Sequence, residues 1–159
     1  MTEAPNFSTD LTGQTALVTG TTSGLGRRFA EVLAACGANV AIAGRRVDRL
    51  EELADRLRNA GGNVLTVPLD VTDTDALFTS VARVQDELGP IQILVNNAGK
   101  PDAKLALRMD PKFVDEMVAT NLTSLFHLAS EVTRRLIEAE LPGRIVNIAS
   151  GAAYSAGIG

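Results

Sequence analysis

Thr15-Ala16-Leu17-Val18-Thr19-Gly20-Thr21-Thr22-Ser23-Gly24-Leu25-Gly26 is the stretch from which the fold is read. Its first half is a short apolar run of the kind that forms a buried strand. Its second half carries three glycines, which let a backbone turn tightly and come close to a ligand without side-chain clash. From Gly24 to Ala35, apolar residues recur at Leu25, Phe29, Val32 and Leu33, the spacing of one helix face. A helix in that position aims its unpaired N–H groups and positive dipole end at the turn, so a pyrophosphate is the natural guest. No lysine follows Gly26, which separates the turn from the nucleoside-triphosphate P-loop.

Outward from this stretch, strand and helix patterns alternate. Gly37 ends the first helix, and Asn39 to Ala43 reads as a second strand. Val47 to Ala60 has a helical stripe at Val47, Leu50, Leu53, Ala54 and Leu57, stopped by Gly61-Gly62. Asn63 to Leu69 reads as a third strand. Asp73 to Leu88 reads as a helix capped by Thr72 or Asp73, and Ile91 to Val95 as a fourth strand, apolar except for Gln92. After a loop from Gly99 to Met109, Asp110-Pro111 starts a helix expected to run to about Glu140, and Arg144 to Ala149 reads as a fifth strand. This order predicts an α/β fold: a Rossmann-type, doubly wound parallel sheet of order 3-2-1-4-5. Ligands of such sheets bind beyond the strand ends where the order reverses, here after strands one and four.

Bulk properties exclude several classes. The chain has 159 residues, 45% hydrophobic and 21% charged, with a net charge of −4. It reads as a single domain over residues 1–159, with 1–10 a loose tail. The negative balance argues against nucleic acid, and no apolar run approaches the roughly 20 residues that cross a bilayer. One cysteine, Cys36, suits a reducing cytoplasm. With His127 the sole histidine and no cysteine cluster, no metal site is expected, and His127 reads as a packing residue.

The motif Thr19 to Gly26, followed by Asn96-Asn97-Ala98-Gly99 after strand four, resembles the short-chain dehydrogenase/reductase family, in its compact branch. Leu69-Asp70-Val71, Asn121 and Ile148-Ala149-Ser150 match the same family in order. The resemblance implies an oxidoreductase that passes a hydride between a nicotinamide cofactor and a carbonyl or alcohol substrate. Gly20, Thr22, Ser23, Gly24, Leu25 and Gly26 would wrap the pyrophosphate. Asp70 would accept a hydrogen bond from the adenine amino group, with the Val71 backbone beside it. Asn97, Ala98 and Gly99 would line the cofactor ribose. Ser150 would bind the reacting oxygen, and Asn121 would hold a water in a proton relay.

At the end of strand two, Ala43-Gly44-Arg45-Arg46 offers no carboxylate to a ribose 2′-hydroxyl. Guanidinium forks suit phosphate oxygens instead, so NADP(H) is favoured, with Arg45 as first contact and Arg46 second; NAD(H) stays open.

The family's reaction also needs a Tyr-x-x-x-Lys pair about a dozen residues beyond the serine. Tyr154 stands only four residues after Ser150, and Ile158 occupies the lysine position, so Tyr154 is expected to line the substrate loop instead. The chain is therefore expected to be part of an enzyme of about 250 residues. A cofactor-binding sensor or scaffold without chemistry is the alternative, against which Ser150 and Asn121 speak. A methyltransferase on a related sheet is the other rival, and it has no use for Asn96-Asn97-Ala98-Gly99. The helix from Pro111 carries more apolar surface than one sheet contact hides, and in the resembled family it packs on its copy, implying a homodimer or homotetramer.

Overall fold

The computed structural model describes residues 8–100 and 104–151. Strand β1 (Thr15–Thr19) is buried along its whole length, because it lies in the middle of a five-stranded parallel sheet. Around it the elements follow as α1 (Gly24–Ala35), β2 (Asn39–Gly44), α2 (Val47–Asn59), β3 (Val64–Pro68), α3 (Thr74–Leu88) and β4 (Ile91–Asn96). A 3-10 turn (Ala106–Arg108) precedes α4 (Pro111–Val118), a π-turn (Ala119–Thr123), α5 (Ser124–Glu138) and β5 (Arg144–Asn147). The order is β3-β2-β1-β4-β5, all neighbours parallel, as the alternation of patterns predicts.

The strand pleat sends alternate side chains to opposite faces, and each face has its own core. Leu17, Ala41 and Leu94 join Leu77 and Val81 of α3 and Leu128 and Val132 of α5 on one side. Ala16, Val18, Ile42 and Val95 meet Ala30 of α1 and Leu50 and Leu53 of α2 on the other. Between β1 and β4 the register slips by one, pairing Thr15 with Ile91 and Ala16 with Ile93. Gln92, the residue skipped between the two pairings, takes up the slip. Ile91 thereby joins Leu94 in the first core, where strict alternation would part them.

Two helix starts are closed by side chains. Asp73 accepts from the Ala76 N–H at 3.0 Å at the head of α3, and Asp110 from the Phe113 N–H at 2.8 Å at the head of α4, with Pro111 in its first turn. Of the two caps expected for α3, Asp73 is the one used.

The helix expected from Pro111 to Glu140 is not continuous. At Ala119–Thr123 it widens into a π-turn, and the Ser124 N–H donates to the Ala119 carbonyl five residues back. The Ser124 hydroxyl, itself buried, donates to the Thr120 carbonyl at 2.8 Å and so satisfies the group that the widening displaces. Helical periodicity in sequence gives no warning of one extra residue in a turn.

β5 ends at Asn147, two residues short of the expected Ala149, and lies at the sheet edge. Ile145 and Val146 are 38% and 46% exposed there. Along the outer side of α4 and α5, Val114, Val118, Leu122 and Phe126 form an exposed apolar stripe at intervals of four. His127 packs edge-on against Phe78 and Phe126, with ring centroids 6.0 Å apart in each case.

Candidate functional site

The turn after β1 is built by threonine and glycine together. The Thr19 hydroxyl accepts from the backbone N–H groups of Asn97 and Ala98, each at 3.0 Å. In return the Asn97 side-chain amide donates to the Thr19 carbonyl at 2.9 Å and to the Gly20 carbonyl at 3.2 Å. The segments after β1 and β4, which flank the reversal of strand order, are thus sewn to one another. Gly20 has φ +70, and a Cβ there would stand 2.9 Å from the Ala98 Cα, so only glycine fits both the turn and the approach. At Gly26 a Cβ would collide with the Gly20 carbonyl oxygen and the Asn97 amide.

The N-terminus of α1 opens onto this turn. Ser23 occupies the cap position, but its side chain makes no capping hydrogen bond, so the first-turn N–H groups keep their capacity for an anion. The Ser23 hydroxyl faces Arg46 instead. The Arg46 guanidinium donates to Thr22 Oγ1 through Nη2 at 2.6 Å and Nε at 3.1 Å, and to Ser23 Oγ at 3.2 Å. Two positive features, a helix end and a guanidinium, converge on one bend.

Arg45 points elsewhere. Its Nη1 lies 3.8 Å from Asp70 Oδ2, in a pair whose arginine side chain is 77% exposed, so the contact is screened and weak. Asp70 is held mainly by Thr72, whose N–H and hydroxyl donate to Oδ1 at 3.0 and 2.8 Å. The Thr72 N–H is the chief cause that keeps the Asp70 carboxyl below the usual carboxylate range, with the Thr72 hydroxyl and Arg45 adding to it against partial burial.

A cleft of about 620 Å³ runs over these strand ends. Ten of the residues singled out in the sequence line it: Gly20, Thr22, Ser23, Arg45, Arg46, Asp70, Val71, Asn97, Ala98 and Gly99. Gly24, Leu25, Gly26, Asn121 and Ser150 stand outside its lining. Gly24 and Gly26 shape the first turn of α1, and Leu25 is 61% exposed. Ser150 is exposed and follows β5, which is aligned to β4 by the Asn96–Asn147 pairing and by the Ile148 N–H donating to the Asn96 carbonyl at 2.9 Å. It therefore leaves the sheet at the same end as Asn97. Tyr154 and Ile158 lie outside the described residues.

Asn121 sits in the π-turn and addresses a backbone. Its Oδ1 accepts from the Lys100 N–H at 2.8 Å, and its Nδ2 donates to the Lys100 carbonyl at 3.2 Å. The helix thereby grips the residue that follows Gly99. Lys100, Glu116 and Thr120 also line the cleft, and sequence reading passed over all three. The available signal was modest: Lys100 abuts the glycine motif, and Glu116 and Thr120 are four apart on one helix face. Among the described residues no group of three or more His, Cys, Asp or Glu side chains gathers as a metal site would. No described helix is long and apolar enough to cross a membrane.

The model of the family described as short chain dehydrogenase matches residues 14–159. The chain belongs to that family. Among curated proteins it is 36% identical over 140 residues to a gluconate 5-dehydrogenase of Gluconobacter oxydans, covering 88% of this chain and 54% of the relative. It is 36% identical over 138 residues to the 3-oxoacyl-(acyl-carrier-protein) reductase of Escherichia coli, covering 87% and 55%. Among solved structures, a short-chain type dehydrogenase/reductase from Mycobacterium marinum superposes with a TM-score of 0.90 at 34% identity, covering 95% of this chain and 61% of the other. An actinorhodin polyketide ketoreductase, solved with NADPH, gives a TM-score of 0.86 at 33% identity, covering 91% and 56%. The chain spans about half the length of the curated relatives it matches. Dehydrogenases and reductases recur among these relatives, which does not favour the sensor reading.

Proposed function

We propose that this chain is the dinucleotide-binding part of a nicotinamide-dependent oxidoreductase that interconverts an alcohol and a carbonyl. One observation carries the reading: the bend after β1 is braced by Asn97, faced by an uncapped helix end, and opens into a cleft spanning both sides of the strand reversal. The donors present fit a pyrophosphate at the bend, whose tight shape depends on Gly20 and Gly26, where a Cβ would collide with the Asn97 side chain and with the Ala98 or Gly20 backbone. When bound, the cofactor supplies or takes up the hydride.

The chain's own residues divide the remaining work. Gly20, Thr22, Ser23 and the first turn of α1 receive the phosphates. Asp70 and the Val71 backbone take the adenine side, and Asn97, Ala98 and Gly99 the nicotinamide ribose side. Ser150 orients the substrate oxygen, and Asn121 fixes the loop after β4 and would serve the proton relay from within its helix.

NADP(H) is the favoured cofactor. Arg46 is anchored on the turn, whereas Arg45 is loosely held and sits on the cleft wall, ready to turn its fork onto a 2′-phosphate. The NADPH-bound ketoreductase is consistent with that choice. The apolar stripe from Val114 to Phe126 fits packing against a second copy, as a homodimer or homotetramer. A cytoplasmic location completes the reading. Titration calorimetry tests it: NADPH is expected to bind about tenfold more tightly than NADH. Absence of heat with both dinucleotides would overturn the assignment.

A further inference from the structure

Lys100 is tied to the helix that follows it at both ends of the residue. Its backbone N–H and carbonyl are taken by the Asn121 amide, at 2.8 and 3.2 Å. Its ammonium lies 2.7 Å from Glu116 Oε2 and 5.4 Å from the centre of the buried Phe113 ring. Glu116 belongs to α4 and Asn121 to the π-turn, so the two grips come from successive turns of one helical run. Between them and β4 stand Asn97, Ala98 and Gly99, which form the cleft wall away from Arg45 and Asp70. A glycine at the end of that wall supplies no side chain to pack the segment in place. Thr19 pins the Asn97 and Ala98 end of the wall, and the grips on Lys100 hold its far end.

We infer that the Lys100–Glu116 ion pair is a positioning device that keeps the loop after β4 in the shape that receives the nicotinamide half of the cofactor. The inference rests on the dinucleotide reading above and adds to it a pair of residues which that reading does not use. The Lys100 side chain is 32% exposed and that of Glu116 46%, so the pair is partly screened and its effect is modest and local. The Glu116 carboxyl is held below the usual range, first by the hydrogen bond from Lys100 and then by its charge, so the pair is intact at neutral pH. A loop that visits its receptive shape only part of the time weakens its ligand in proportion. The adenosine half, bound over β2 and β3, does not depend on that shape.

The test compares two ligands on the full chain: NADPH, and adenosine 2′,5′-bisphosphate, which lacks the nicotinamide half. Reduced-nicotinamide fluorescence, excited in the cofactor's own absorption band, reports NADPH binding, and calorimetry reports the fragment. Glu116→Gln and Lys100→Met are each expected to weaken NADPH about three- to fivefold and to leave the fragment unchanged. The charge-reversed pair, Lys100→Glu with Glu116→Lys, is expected to bind NADPH more tightly than either reversed single variant. Unchanged NADPH affinity in the single variants, parallel loss of both ligands, or a reversed pair no better than its singles would each overturn the positioning role. A wild-type chain that binds neither ligand would instead overturn the dinucleotide reading itself, and the inference with it.

Discussion

The heads of α1 and α3 begin in the same way, each leaving the carboxyl end of a strand in one parallel sheet, and they end in opposite chemistry. At α3 the chain closes the helix with its own carboxylate, Asp73 on the Ala76 N–H. At α1 the cap residue is Ser23, whose hydroxyl makes no capping bond and is engaged by Arg46. A helix end left without a side-chain acceptor, and faced by a guanidinium, is poised for a ligand; one closed by aspartate serves the fold. The two heads share a strand-to-helix connection, and their difference marks the site.

The sharpest way to break that contrast is Gly26→Ala. The added Cβ collides with the Gly20 carbonyl and the Asn97 amide, so dinucleotide binding should fall below detection in calorimetry. Thermal unfolding should show a loss of about 1–3 kcal/mol, the usual cost of overpacking. Retained affinity would mean that the bend is not where the phosphates sit. Arg45→Ala should be milder and selective. NADPH affinity should drop about tenfold with NADH unchanged, as expected for one charge-assisted phosphate contact; equal losses for both would remove Arg45 from the choice of cofactor.

Asp73→Ala probes the other head. It should destabilise the fold by about 1 kcal/mol in denaturant melts while dinucleotide affinity stays put. A binding defect here would erase the distinction between the heads. The smallest effect concerns acid. Asp70 has a folded carboxyl below its unfolded value of 3.8, so its contribution is fully present above that value and is lost as pH falls through the folded one. Asp70→Asn should therefore flatten the stability–pH curve only below about pH 4, as melts across that range would show.

How much of this was legible beforehand follows from the distances along the chain. The helices α1 and α2 and the glycine turn follow from neighbours a few residues apart, and the structure repeats the helices to within one residue; the strand order follows from the alternation of patterns along the chain. The π-turn did not, because its signal is one hydrogen bond five residues back, invisible to a count of apolar spacings. Nor did the role of Thr19, whose hydroxyl meets Asn97 78 residues away. The sequence ranks Arg45 before Arg46 as a phosphate contact and says nothing of what either touches in the fold. Only the fold sends one to Asp70 and the other to Thr22 and Ser23.

By itself, the order of residues determined the elements apart from the π-turn, their succession and the family, because local backbone preference and hydrophobic period act over a turn or a strand. Tertiary structure alone decided which side chains share the cleft, which helix end stays open, and that Lys100 is gripped from two turns of one helix. Those outcomes depend on surfaces meeting across the sheet, and the register that aligns them is set by the packing of both cores at once.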